Sequence, residues 1–139
     1  MPAEIFGEAY QFLPRADILT FEEIARLVTI FSELGVNKAR ITGGEPLLRT
    51  DLHHLITQLA QIDNIDDITL TTNGYLLAQQ AKALKDSGLN RVTVSLDSLD
   101  DEVFKTMNGR GFGVHRVLKA IERAQEVNLS PIKINCVVQ

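Results

Sequence analysis

Short stretches with apolar residues at every second position recur along this 139-residue chain, and a segment of helical period separates each from the next. Strands in tandem with helices at this spacing build parallel βαβ units with right-handed crossovers, so this alternation limits the fold to the α/β class. Strands are expected over 39–42, 67–72, 91–97 and 132–138. Thr20 followed by Glu23 forms a capping box, and Phe21, Ile24, Val28 and Phe31 then recur at helical spacing until Gly35, which predicts a helix over 21–34. Leu52, Leu55, Ile56 and Leu59 share a face in a second helix that Thr50 and Asp51 can cap. A third carries Leu77, Ala81 and Leu84 and ends near Gly88. A short helix is expected over 102–107, and a longer one carries Val117, Leu118, Ile121 and Ala124. Residues 1–19, broken by Pro2, Gly7 and Pro14, read as loop.

Period two splits each strand into two faces. Ala39 and Ile41, Ile68 and Leu70, Val92, Val94 and Leu96, and Ile132, Ile134, Cys136 and Val138 point toward the helices. Arg40 and Thr42, Thr69, Thr71 and Asn73, Arg91, Thr93, Ser95 and Asp97, and Lys133 and Asn135 take the other side. Fully buried parallel strands read instead as continuous apolar runs. A polar second face implies either a solvent-exposed sheet or a barrel lumen holding a polar ligand. Exposed parallel sheet faces are uncommon, which favours the lumen.

Composition narrows the function classes. With 45% hydrophobic residues the chain can bury a core, and a net charge of −4 leaves no basic footprint for nucleic acid. No window of about 18 apolar residues could span a membrane, and residues 1–10 carry neither a basic nor an apolar signal region, so a cytoplasmic setting is expected. The single cysteine, Cys136, permits no internal disulfide and no cysteine-built metal site. On the helix-facing side of its strand it is expected to be an inert core thiol. His53, His54 and His115 lack i, i+4 spacing, and the two adjacent histidines read as ordinary helix residues, so no metal ligands are assigned.

Candidate chemistry gathers at the C-terminal ends of the strands, where parallel α/β proteins keep their ligands. Gly43 and Gly44 have no Cβ, and their backbone can lie flat against a ligand. Pro46 pushes Glu45 out of the α region, so Glu45 sits on a stiff, extended corner suited to an amine. Thr71 and Asn73, then Ser95 and Asp97, end the next two strands. Arg40 and Lys133 point to the same side, and two inward cations call for a phosphate or carboxylate partner. Each residue also has a plainer reading: Thr71 and Ser95 as partners of loop backbone, Asp97 paired with Arg40 or Arg91, and Lys133 reaching outward. Gly109 to Gly113 lacks the Gly-Lys-Ser/Thr ending of a phosphate loop and reads as a turn between helices.

Four segments, ITGGEPLLR (41–49), TTNG (71–74), VSLDS (94–98) and KINCVV (133–138), in this order and spacing resemble the radical SAM enzymes. Within that superfamily they are most similar to the GTP 3',8-cyclases of molybdenum cofactor biosynthesis. The resemblance covers essentially the whole chain. It implies an incomplete, TIM-like (β/α)6 barrel in which cluster-bound S-adenosylmethionine is reductively cleaved to a 5'-deoxyadenosyl radical. That radical takes hydrogen from C3' of GTP, and C3' bonds to C8 to give 3',8-cyclo-7,8-dihydro-GTP, a lyase reaction by class. Carried over by motif, Gly44, Glu45 and Ser95 would bind S-adenosylmethionine, and Arg40, Thr71 and Lys133 would bind GTP. None of them is a proton-transfer catalyst, because the cofactor carries the chemistry. A cyclic pyranopterin monophosphate synthase would act next.

The same resemblance implies that residues 1–139 form only the central part of the barrel, about four of its strands. The Cys-x3-Cys-x2-Cys loop of the first [4Fe-4S] cluster is missing; in the family its third cysteine directly precedes a Met-Pro-x-Glu segment like that at 1–4. The C-terminal domain that binds a second cluster is missing too. Alone, the chain is expected to be inactive, either as a piece of an intact enzyme or as a remnant that holds a nucleotide. A third reading makes Lys133 a Schiff-base lysine in an aldolase-type barrel. Two open sheet edges and an uncovered polar face invite self-association, such as a homodimer.

Overall fold

A computed structural model describes Pro14 and residues 17–138. The loop expected over 1–19 and the Met-Pro-x-Glu segment therefore fall largely outside the described residues. Four parallel strands, β1 (Lys38–Ile41), β2 (Asp67–Thr72), β3 (Arg91–Ser95) and β4 (Ile132–Asn135), lie side by side in chain order. Among the described residues five helices connect or flank them: α1 (Phe21–Glu33), α2 (Leu52–Ala60), α3 (Leu77–Asp86), α4 (Asp101–Asn108) and α5 (Val114–Glu126). A single 3-10 turn, Pro46–Leu48, follows β1.

Local chemistry sets most boundaries. Thr20 Oγ1 accepts from the Glu23 N–H at 3.2 Å while the Glu23 carboxylate accepts from the Thr20 N–H at 2.8 Å, completing the expected box at α1. Asp51 does stand at the start of α2, but in a left-handed conformation (φ 58°) with no side-chain capping bond, which corrects the expected cap. A cap that the residue pattern left unassigned lies elsewhere: Asp101 Oδ1 accepts from the Val114 N–H at 2.8 Å, so the first turn of α4 closes the start of α5. Gly109 (φ 60°) ends α4, and the glycine-rich stretch turns the chain between the two helices.

The core lies on one face of the sheet. Ile68, Leu70, Val92 and Val94 are at most 2% exposed and pack under Leu55, Ile56 and Leu59 of α2, Leu77, Ala81 and Leu84 of α3, and Val117, Ala120 and Ala124 of α5. The expected faces hold in the two central strands. At the β4 edge the same row is no longer covered: Ile134, in register with Val94, is 42% exposed, and Val138, beyond the strand, 88%. The strand also stops at Asn135, and Cys136 is exposed, its Sγ 3.4 Å from the carbonyl oxygen of Asp97. Cys136 is thus not a core thiol. Beyond Asn135 the ladder ends and period two no longer aims a side chain at a helix. β3 likewise ends at Ser95 rather than Asp97.

Candidate functional site

The Gly-Gly-Glu-Pro corner closes the top of β1. Glu45 is extended (φ −129°, ψ 105°), as its position before proline requires. Its carboxylate is tied to its own 3-10 turn and to the end of β2. Oε1 accepts from the Leu47 N–H at 3.2 Å and the Thr72 hydroxyl at 2.7 Å, and Oε2 accepts from the Asn73 N–H at 2.7 Å. A Cβ on Gly43 or Gly44 would meet nothing within 4 Å, so this backbone lies bare. Gly74 takes φ 81°, and a Cβ there would lie 3.1 Å from Val117 Cγ1, so a side chain at this position would strain the TTNG turn against α5.

Two cavities meet at this corner. One, of about 380 Å³, is lined by Gly43, Gly44, Thr71, Asn73, Ser95, Asp97 and Asn135. It gathers Gly44, Ser95 and Thr71. The other, of about 780 Å³, is lined by Glu45, Asn73, Tyr75, Arg110, Phe112 and Arg116, among others. Glu45 faces this second space, and Asn73, Arg110 and Phe112 border both. The Arg116 guanidinium lies 4.0 Å above the Tyr75 ring, and Tyr75 and Phe112 pack with their ring centres 5.0 Å apart.

The cations stand lower on the polar face. Register aligns Arg40 with Thr69 and Arg91, and one row higher aligns Thr71 with Thr93 and Lys133. Lys133 is two strands from Thr71, about 10 Å across the sheet. Arg40 and Lys133 are exposed, line neither cavity, and pair with no carboxylate among the described residues. Exposure removes the burial that would activate a Schiff-base lysine at 133. Arg91, by contrast, is neutralised. It forms a two-pronged ion pair with Asp67, Nε to Oδ1 at 3.0 Å and Nη2 to Oδ2, and the guanidinium hydrogen bond holds the Asp67 carboxyl below its usual range.

Two plainer readings are corrected. Asp97 pairs with neither arginine; its Oδ1 accepts from the Val137 N–H at 2.9 Å. The hydroxyl that serves the loop backbone is not that of Thr71 or Ser95 but that of Thr72, which accepts from the Gly74 N–H at 3.1 Å. Thr72 shares the apolar parity of Ile68 and Leu70, so a face assignment alone hides it. A hydroxyl at the end of an apolar row was the signal available.

Asp51, His53 and His54 bring three ligand atoms within 4.8 Å of one another at the start of α2. They stand at the positive end of the helix dipole, which disfavours a cation. A [4Fe-4S] cluster does not fit this chain's residues, since one exposed cysteine cannot hold it. The bare Gly43–Gly44 backbone and the fixed carboxylate do fit the ammonium group of an amino-acid-like cofactor such as S-adenosylmethionine.

Parallel βα units with a glycine-rich Glu-Pro corner at the carboxyl ends of the strands define a partial TIM-like barrel with a candidate ligand site at that end. Residues 5–139 match the radical SAM superfamily, and the chain belongs to it. More particularly, it is 49% identical over all 139 residues to a GTP 3',8-cyclase of Staphylococcus aureus (strain JH9). It is 50% identical over the same span to one of Staphylococcus haemolyticus (strain JCSC1435). The alignments take in 100% of this chain and 41% of each relative, so the chain spans about two fifths of their length.

Proposed function

We propose that this chain is the central, ligand-binding part of a GTP 3',8-cyclase of molybdenum cofactor biosynthesis. Identity of 49–50% over all 139 residues to proteins of that name carries the reading. Gly44, Glu45 and Ser95 hold S-adenosylmethionine, and Arg40, Thr71 and Lys133 hold GTP. S-adenosylmethionine and iron–sulfur clusters supply the radical chemistry, and the residues of this chain bind, orient and shield. The two unpaired cations meet the triphosphate as charge-assisted donors. Cluster ligands come from sequence flanking residues 1–139, the product passes to a cyclic pyranopterin monophosphate synthase, and the setting is cytoplasmic. The open sheet edges allow two copies to pair. Among the described residues no helix is long and apolar enough to cross a membrane.

The test separates substrate from cofactor. In a protein carrying this sequence and competent for S-adenosylmethionine cleavage, Lys133→Ala should lower GTP conversion about tenfold or more while leaving uncoupled cleavage near wild type. Equal loss of both would contradict the assignment. Reading the flanking DNA for an in-frame Cys-x3-Cys-x2-Cys ahead of Met1 and a second cysteine set beyond Gln139 tests the central placement.

A further inference from the structure

Thr72 is 2% exposed and ends the apolar row of Ile68 and Leu70, where valine would fill the same volume without a polar atom. Its hydroxyl donates to Glu45 Oε1 at 2.7 Å and accepts from the Gly74 N–H at 3.1 Å. A carboxylate offers about four lone-pair sites. Leu47 and Thr72 fill both on Oε1, and Asn73 fills one on Oε2, which leaves a single acceptor site on the oxygen nearer Asn73. Asn73 borders both cavities, so this site stands on the wall between them, one residue along the chain from the bare Gly44 backbone.

We propose that Thr72 is a positioning residue. By clamping Glu45 to the end of β2 it presents one lone pair of Oε2, together with the Gly43–Gly44 backbone, to the primary ammonium group of the ligand. This rests on the reading of Glu45 as a ligand of S-adenosylmethionine. Two independent readouts separate the clamp from that reading.

The first is amide hydrogen exchange of the chain without ligand, followed by NMR at Leu47, Asn73 and Gly74. Thr72→Val should speed exchange at all three by about tenfold, and Thr72→Ser should restore wild-type protection. Unchanged exchange in Thr72→Val overturns the clamp. If Thr72→Val fails to fold, Thr72→Ala serves instead, and unchanged exchange at Leu47 and Asn73 in that variant overturns the clamp. The second readout is S-adenosylmethionine affinity by equilibrium dialysis in a protein carrying this sequence and competent for S-adenosylmethionine cleavage, expected to fall about tenfold in Thr72→Val but not in Thr72→Ser, with GTP affinity unchanged. Faster exchange with undiminished affinity overturns the positioning role. Undiminished affinity of that protein on Glu45→Gln overturns the cofactor assignment of Glu45, with exchange still judging the clamp.

Discussion

Asp67 and Arg91 meet diagonally across neighbouring strands, and their pairing links the polar face to pH. The Arg91 hydrogen bond lowers the Asp67 pKa in the folded state, so the pair's contribution is present above the unfolded carboxyl value of about 3.9. It is lost as pH falls through the lowered folded value. Asp67→Asn should therefore be less stable than wild type at neutral pH, and the gap should close on acidification from about pH 5 toward pH 2. Denaturant melts across that range check this, and a gap independent of pH would contradict it. Asp101, lowered chiefly by its Lys105 hydrogen bond and also by the Val114 N–H, adds to the same acid limb with the same sign. At this scale the sequence identified the residue types that matter, yet misplaced their partners. The plainer reading of Asp97 pairs it with Arg40 or Arg91, and it is found on the Val137 backbone, because which carboxylate meets which cation depends on strand register.

At the scale of elements, helix ends were legible where the cap lies within three residues of the helix. Thr20 and Glu23 are such a case, and Thr20→Ala should cost about 1 kcal/mol by opening the box, read as a lower melting temperature with α1 fraying first. Capping across a loop is not legible this way. Asp101 and Val114 are thirteen residues apart and meet only because α4 folds back beside α5. Asp101→Ala should loosen the start of α5 and the adjoining Gly109 to Gly113 turn, seen as faster amide exchange at Val114. Undisturbed protection there would mean another acceptor replaces the carboxylate. Strand ends failed for a related reason. The alternation in Cys136 and Val138 continues past the point where β3 still has a partner, so a pattern alone extends β4 too far.

For the molecule as a whole, one apolar layer joins the units. Leu70 is fully buried at the centre of the sheet, and Leu70→Ala should cost roughly 2–5 kcal/mol, depending on how far α2 and α3 close over the space. Calorimetry would show this as a large drop in melting temperature; a change near zero would mean that the core is loosely packed. The opposite face carries the candidate site, and its two outer cations are exposed across an open sheet.

By itself the sequence determined the α/β order, the helix-facing side of β2 and β3, and the motif set that places the chain among the radical SAM proteins, since each is carried by residues close together in the chain. Tertiary structure decided the rest. It turned Glu45 onto Thr72 and Asn73, paired Arg91 with Asp67, opened Cys136 to solvent, and set Gly44, Thr71 and Ser95 around one cavity with Arg40 and Lys133 outside it. These contacts join residues on different strands, and only the packing of the sheet fixes which of them meet.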